Sequence, residues 1–163
     1  MCDTKPLTKS KSMTNLPPHV NLSISVVISD GKILVDWNPR WGCFTLPMTK
    51  IREWHTDRGH VDTDSETALD AAIRTVAESL GRPLVAGEIP QGPEELELQP
   101  YSHRSYRDGR WKRYGQTVFV FRIDSPVLGH RLNWLTPEDL ETHRPISPTA
   151  TEVIRHLQAN EVL

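Results

Sequence analysis

One amphipathic stretch, residues 64–81, constrains the fold more than any other part of this sequence. Its apolar residues recur at i, i+3, i+4, i+7 and i+11, which is the spacing of a single helix face. They are Leu69, Ala72, Ile73, Val76 and Leu80. Asp64 or Ser65 is placed to cap the start of the helix, and Gly81 followed by Pro83 is placed to end it. The stretch therefore predicts a helix that buries one face.

Outside this apolar stripe, Thr75, Glu78 and Ser79 lie at i, i+3 and i+4, so they share one patch of the helix surface. Such a patch either faces a ligand or is a solvated helix face. Spacing alone favours the solvated face, because charged and hydroxyl side chains are ordinary on helix surfaces.

The composition is that of a soluble globular protein. The chain has 163 residues, 25% of them charged and 37% hydrophobic, with a net charge of −2. This balance gives no electrostatic reason to expect nucleic acid or a membrane as partner, and no apolar run approaches the roughly 20 residues that span a bilayer. The two cysteines, Cys2 and Cys43, predict a reducing, cytoplasmic location. The oligomeric state is left open.

The polar start of the chain predicts a flexible tail at residues 1–20, before a single domain at residues 21–163. Three lysines, Lys5, Lys9 and Lys11, leave a nucleic-acid-binding arm open as an alternative.

The remaining patterns predict a mixed sheet with helices packed against it. Apolar residues alternate over residues 22–28, Asp30 and Gly31 suit a hairpin turn, and the return strand follows at 33–37. Further expected elements are strands at 44–46, around Leu96 and Leu98, and at 117–123, and helices beginning at Thr136 and Ser147. Residues 52–63 form a long polar loop, which is therefore a candidate functional loop.

The predicted helix resembles the signature of the Nudix hydrolases, in which a glutamate is followed, after seven residues, by Arg-Glu-apolar-any-Glu-Glu-any-Gly. The matching positions are Glu66, Arg74, Val76, Glu78 and Gly81. Residues 44–49, FTLPMT, are similar to the aromatic-x-Leu-Pro-Gly-Gly run that often precedes the signature. The resemblance implies an α/β fold, a Nudix-like α/β/α sandwich with a mixed β-sheet between helices.

The chain departs from this signature at its metal-binding positions. Thr75 and Ser79 replace two glutamates, Met48 and Thr49 replace the glycine pair, and sixteen residues separate Thr49 from Glu66 where the family has five. A hydroxyl is a weak, neutral metal ligand and does not act as a base near neutral pH. The family's metal site is therefore expected to be weakened or atypical here.

The resemblance assigns structural roles to Glu66, Arg74 and Gly81, with a Glu66–Arg74 pair bracing the loop against the helix. Glu78 is the matched residue that would hold Mg²⁺ or Mn²⁺ and serve catalysis, and a protein without a metal is the alternative. Compensating ligands are candidates in residues 52–64 and 95–124. These are Glu53, His55, Asp57, His60, Asp62, Asp64, Glu95, Glu97 and Asp124.

Residues 103–114 combine basic and aromatic side chains around a predicted hairpin turn at Asp108 and Gly109. Basic groups bind phosphate, and aromatic rings stack on bases. The candidate phosphate- or nucleotide-binding residues are Arg104, Arg107, Arg110, Trp111, Lys112 and Arg113. Contact with RNA is one alternative, and an exposed hairpin whose rings cover the core edge is another.

The resemblance therefore implies a hydrolase of nucleoside diphosphate derivatives, in which a metal assists the attack of water on phosphorus at a weakened or atypical site. The alternative is a non-catalytic module of the same fold that binds a nucleotide or another partner. A small nucleotide-like ligand is expected in either case.

Overall fold

The computed structural model describes residues 4–6, 19–52, 65–96, 98, 101–104, 108–124, 132–142 and 145–163. Its strands are β1 (Thr4–Pro6), β2 (His19–Ser29), β3 (Lys32–Asn38), β4 (Cys43–Thr45), β5 (Met48–Lys50), β6 (Tyr101–Arg104), β7 (Trp111–Arg122) and β8 (Asn133–Leu135). Its helices are α1 (Ala68–Leu80), α2 (Pro137–Thr142) and α3 (Pro148–Ala159), with a 3₁₀ turn at Ala86–Glu88. Within these ranges, no helix has the length and apolar character needed to cross a membrane.

The strands form one mixed sheet in the order β1-β6-β7-β2-β3-β4, with β5 also paired to β2 and β8 to β3. β2 and β7 run parallel, from His19 beside Arg113 to Ile28 beside Arg122. The other strand pairs are antiparallel. The β2–β3 hairpin turns at Asp30 and Gly31, whose φ angles of 50° and 72° confirm the predicted turn.

Helices cover both faces of this sheet. On one face, Val76 and Leu80 of α1 join Val27, Phe119 and Phe121 in a buried cluster. On the other face, α2 and α3 contribute Leu140, Ala150, Val153, Ile154 and Leu157 to a cluster with Ile24 and Val118 of the sheet. The expected α/β/α sandwich with a mixed central sheet is confirmed.

The apolar stripe of α1 is confirmed, since Ala72, Val76 and Leu80 are buried. The predicted cap is wrong, because the helix starts at Ala68 and is capped by Thr67. Thr67 Oγ1 accepts from the Asp70 N–H, and the Asp70 carboxylate accepts from the Thr67 N–H. This reciprocal pair satisfies two backbone N–H groups at the start of the helix. The cap therefore lies two residues after Ser65, the later of the two predicted caps. The caps predicted at Thr136 and Ser147 are confirmed.

The strand predicted around Leu96 and Leu98 is also wrong for the residues that the structure describes. An isolated bridge joins Glu94 to Val118, while both leucines pack against the α2–α3 cluster. Their alternation therefore reflects burial of apolar side chains and not strand pairing.

The tail at residues 1–20 stays a prediction. Thr4–Pro6 pair with β6, and β2 begins at His19, two residues before the expected start of the domain. Residues 7–18 lie outside the described parts of the chain.

Candidate functional site

Helix α1 is fixed at both ends, which sets the position of every residue on its surface. At its start, the buried Ser23 hydroxyl of β2 donates to the Ala68 carbonyl at 2.9 Å. At its end, Gly81 takes φ 72° and donates its N–H to the Ala77 carbonyl. A left-handed residue after the last turn stops a helix, so the predicted end at Gly81 is confirmed.

The Glu66–Arg74 pair predicted from the resemblance is present and bidentate. Arg74 Nε and Nη2 donate to the two Glu66 carboxylate oxygens, each at 3.0 Å. The Arg52 N–H also donates to this carboxylate at 3.1 Å, and the Glu66 N–H donates to the Arg52 carbonyl at 2.9 Å. These bonds join the residues on either side of 53–64 and tie both to α1. The hydrogen bonds from Arg74 hold the pKa of the Glu66 carboxyl below its usual value.

A second ion pair, absent from the sequence predictions, fixes the connector after α1. Arg82 Nη1 and Nη2 donate to the Glu88 carboxylate at 2.8 and 2.7 Å, and the Val85 N–H donates to it at 3.0 Å. The paired guanidinium lowers the pKa of Glu88 from 4.5 to about 2. Arg82 occupies the position after Gly81 where the family signature has an apolar residue. No local spacing rule relates residues six apart across a turn, so sequence reasoning had no signal for this pair.

The side chains of Thr75, Glu78 and Ser79 form what we call the polar edge of α1. Glu78 is exposed, whereas Thr75 and Ser79 are half-buried. Thr75 Oγ1 is buried and has no hydrogen-bond partner within the described part of the chain. The Glu78 charge contributes to the raised pKa of Arg74, after the larger effect of the Glu66 hydrogen bonds. The polar edge therefore combines one exposed carboxylate, two hydroxyls and a neighbouring guanidinium that is paired with Glu66.

This donor set does not fit a conventional Nudix metal site. Mg²⁺ and Mn²⁺ prefer several oxygen ligands, and anionic ones most. Among the residues that the structure describes, no three His, Cys, Asp or Glu side chains converge on a point where an ion could bind. Glu95 and Asp124, two of the compensating candidates, are exposed and belong to no such group. Glu97 and the six candidates at residues 53–64 lie outside the described residues.

The predicted basic hairpin is present, with β6 and β7 pairing up to Arg104 beside Trp111. Two of its cations bond within the hairpin itself. Arg104 Nε donates to the Gly109 carbonyl at 3.0 Å, and Lys112 Nζ pairs with Asp108 at 3.1 Å. Arg110 is exposed, and Arg107 lies outside the described residues. A role of these residues in binding phosphate stays a prediction.

The strand geometry separates this hairpin from the polar edge of α1. Side chains alternate along β7, so Trp111 and Arg113 share the α1 face with Phe119 and Phe121. Helix α1 begins beside Ser23, whose partner on β7 is Thr117. Arg113 precedes Thr117 by four residues, or about 13 Å of strand. The buried residues of α1 pack on the part of the sheet beyond Thr117, on the side away from Arg113. Glu78 therefore lies apart from the basic hairpin.

Sequence reasoning missed a polar group around the start of β2. The His19 ring lies 2.8 Å from Asn21 Oδ1, and both side chains lie over Gly115. A Cβ at Gly115 would come within 2.9 Å of Asn21 Oδ1. Arg113, paired in register with His19, has a buried Nε with no partner among the described residues. A glycine inside the β7 pattern was the available signal, because it marks close approach of other groups.

The sequence matches no protein-family model and no curated protein sequence. Solved structures do resemble this chain. A MutT Nudix hydrolase from Burkholderia pseudomallei has a TM-score of 0.55 and 19% identity, over 85% of this chain and 98% of that one. The Nudix domain of Shewanella oneidensis NrtR, in complex with ADP ribose, has a TM-score of 0.54 and 15% identity, over 92% and 93% of the two chains.

A bifunctional NMN adenylyltransferase/ADP ribose pyrophosphatase from Francisella tularensis, in complex with AMP and a manganese ion, is similar with a TM-score of 0.59 and 18% identity. The match covers 90% of this chain and 43% of that protein. At these identities the comparisons establish the fold, which is the Nudix fold. The suspected resemblance is thus confirmed in architecture, while the chemistry depends on the residues of this chain.

Proposed function

We propose that this protein binds a nucleoside diphosphate derivative at the polar edge of α1, without the metal-dependent hydrolysis typical of Nudix hydrolases. The contrast within one helix carries this proposal. The Glu66–Arg74 pair that shapes the site is intact, with both contacts at 3.0 Å. Glu78 is the one carboxylate at the polar edge, where the family signature has three.

The polar edge offers phosphate oxygens two hydroxyl donors and offers a cation a single carboxylate. A hydroxyl donates a hydrogen bond to an anionic oxygen, and Thr75 Oγ1 has no partner in the described part of the chain. Because this oxygen is buried, a phosphate reaches it only after the Thr75 side chain turns outward. The Arg74 side chain lies beside this edge and is 22% exposed, with its charge paired to Glu66. The nucleotide part of the ligand is suggested by the similar proteins in complex with ADP ribose and with AMP.

Calorimetric titration with ADP-ribose in the presence of EDTA tests this proposal. We expect saturable binding without any divalent cation. Replacing Thr75 by Val keeps the shape but removes the hydroxyl, and it should weaken binding about tenfold, the effect of one hydrogen bond to a charged group. Thr149→Val, on the opposite side of the sheet, is the matched control and should bind normally. Absence of binding to the unmodified protein would overturn the proposal.

Slow metal-assisted hydrolysis of the same ligand is the second candidate, in which Glu78 would hold Mg²⁺ or Mn²⁺ and the metal would assist the attack of water on phosphorus. The exposure of Glu78 beside Arg74 favours it. The test is AMP release from ADP-ribose with Mn²⁺ added. Turnover that disappears in Glu78→Gln would replace the binding-module proposal with this one. Binding without turnover would exclude hydrolysis of this ligand.

A further inference from the structure

A cavity between α2 and α3 lies across the sheet from the polar edge of α1. Its volume is about 380 Å³, at the small end of the range for ligand pockets. Leu140, Ile146 and Ile154 give it an apolar floor that belongs to the α2–α3 core cluster. Because α1 packs on the other face of the sheet, this cavity is separate from the Nudix site.

The rim of the cavity carries one charge of each sign. Glu141 projects from α2, and Arg155 and Gln158 project from α3. All three are exposed. Neither Glu141 nor Arg155 forms an ion pair within the part of the chain that the structure describes. Two opposite charges, neither paired within the described ranges, therefore border one apolar floor.

The apolar floor continues towards the edge of the sheet. Ile146 forms a parallel bridge with Phe44 of β4, and both pack against the same core cluster. The Phe44 ring lies 5.0 Å from the Trp37 ring in an edge-to-face arrangement, and Trp37 is 48% exposed. Trp37 is joined to the floor through Phe44 and Ile146 and does not itself line the cavity. The apolar floor favours a ligand with an aromatic or branched apolar group.

We propose that this cavity binds a small zwitterion with an apolar side chain, in the chemical class of a hydrophobic α-amino acid. Its carboxylate pairs with Arg155, where Gln158 supplies a further amide donor, and its ammonium pairs with Glu141. Its side chain covers Leu140, Ile146 and Ile154. A ligand with both charges pairs with Arg155 and Glu141 at once, whereas a ligand with a single charge pairs with only one of these two side chains. This inference is independent of the function proposed for α1.

Titration of the full chain with L-phenylalanine, followed by the methyl NMR signals of Leu140 and Ile154, tests the proposal. Two matched probes each lack one charge: 3-phenylpropionate has no ammonium, and 2-phenylethylamine has no carboxylate. We expect each to bind about fivefold more weakly than L-phenylalanine, as is typical for the loss of one exposed ion pair. Equal affinity of the three compounds, or no saturable shift at these methyl groups, would overturn the proposal.

Variants then assign each charge. Arg155→Gln should weaken L-phenylalanine and 3-phenylpropionate but leave 2-phenylethylamine unchanged. Glu141→Gln should weaken L-phenylalanine and 2-phenylethylamine but leave 3-phenylpropionate unchanged. Glu138→Gln, an exposed α2 residue that does not line the cavity, is the control and should alter none of the three. A variant that weakens all three probes equally would contradict the assigned contacts.

Discussion

The bracing residues around α1 and the polar edge of the same helix differ in how firmly their charged groups are held. Glu66 accepts hydrogen bonds from Arg74 and Arg52, and Glu88 accepts from Arg82 and Val85. Glu78 is exposed and forms no hydrogen bond with the described residues. The positions that match the family signature thus divide into two groups. Glu66 and Arg74 are paired at the start of the helix, whereas Glu78 is an exposed carboxylate between two hydroxyl residues, Thr75 and Ser79.

These two groups of residues differ because the ion pairs of Glu66 and Glu88 contribute to folding whether or not the site is catalytic. A hydrogen bond to a charged group contributes about 1.5–3 kcal/mol, and removing one partner leaves the other unsatisfied. An exposed carboxylate such as Glu78 contributes little to stability, so its neighbours can be replaced at small cost. A chain can therefore keep these braces whichever residues occupy the polar edge.

The largest expected effect compares two glutamates of one signature. Glu66→Gln should lower the free energy of unfolding by about 2 kcal/mol, because Arg74 loses its charged partner and the group is half-buried. Glu78→Gln should change it by less than about 0.5 kcal/mol, as expected for an exposed side chain. Urea denaturation followed by circular dichroism measures both. Equal losses in the two variants would mean that Glu78 also braces the helix.

Placing glutamates at the two hydroxyl positions of the polar edge tests whether negative charge is what a metal site lacks here. The double variant Thr75→Glu with Ser79→Glu brings three carboxylates onto one helix edge and should bind Mn²⁺ at least about tenfold more tightly than the unmodified chain, a gain of about 1.4 kcal/mol. Thr75→Gln with Ser79→Gln has nearly the same shape without the charge and is the matched control. Calorimetry with Mn²⁺ distinguishes them. A control that binds Mn²⁺ as tightly as the glutamate variant would contradict the argument from charge.

Much of the fold could be predicted from local pattern. The apolar stripe of α1 and the capped start of α3 at Ser147 depend on residues within a few positions of one another, and so does the turn at Asp30 and Gly31. The rule holds for the stripe of α1 because Ala72, Val76 and Leu80 also pack into a core cluster. The Glu66–Arg74 pair was predictable for a different reason, since it came from the resemblance to a family motif.

The rest depended on tertiary contacts that no local rule contains. The alternation of Leu96 and Leu98 looked like a strand, but both residues are partly buried against the core cluster that the sheet forms with α2 and α3. The Arg82–Glu88 pair forms only because the chain turns after Gly81. That the Thr75 hydroxyl has no partner among the described residues is a property of its surroundings and not of its spacing. Chemical function is hardest to predict for the same reason, because it depends on which groups the fold leaves without partners.

A smaller effect is expected at the N-terminal cap of α1, the helix that carries both Arg74 and the polar edge. Thr67→Ala removes the acceptor for the Asp70 N–H and should cost about 1 kcal/mol of unfolding free energy. Thr67→Ser keeps the hydroxyl and should recover most of that loss. Urea denaturation of the pair gives the difference. Equal stability of Thr67→Ala and the unmodified chain would show that the Asp70 carboxylate alone is sufficient to start the helix.

The smallest expected effect is the pH dependence of the second brace. The folded pKa of Glu88 is about 2, below its ordinary 4.5, so its ionised form is favoured by folding. The stability from the Arg82–Glu88 pair is therefore complete above about pH 4.5 and is lost as the pH falls towards 2. Because Arg82 remains partly exposed, we expect this contribution to stay below about 1 kcal/mol. Glu66, whose pKa is also lowered, adds its own loss as the medium becomes acidic. Subtracting the stability curve of Glu88→Gln from that of the unmodified chain isolates the Glu88 contribution. A flat difference between pH 5 and 2 would mean that Glu88 is not held as a carboxylate by Arg82.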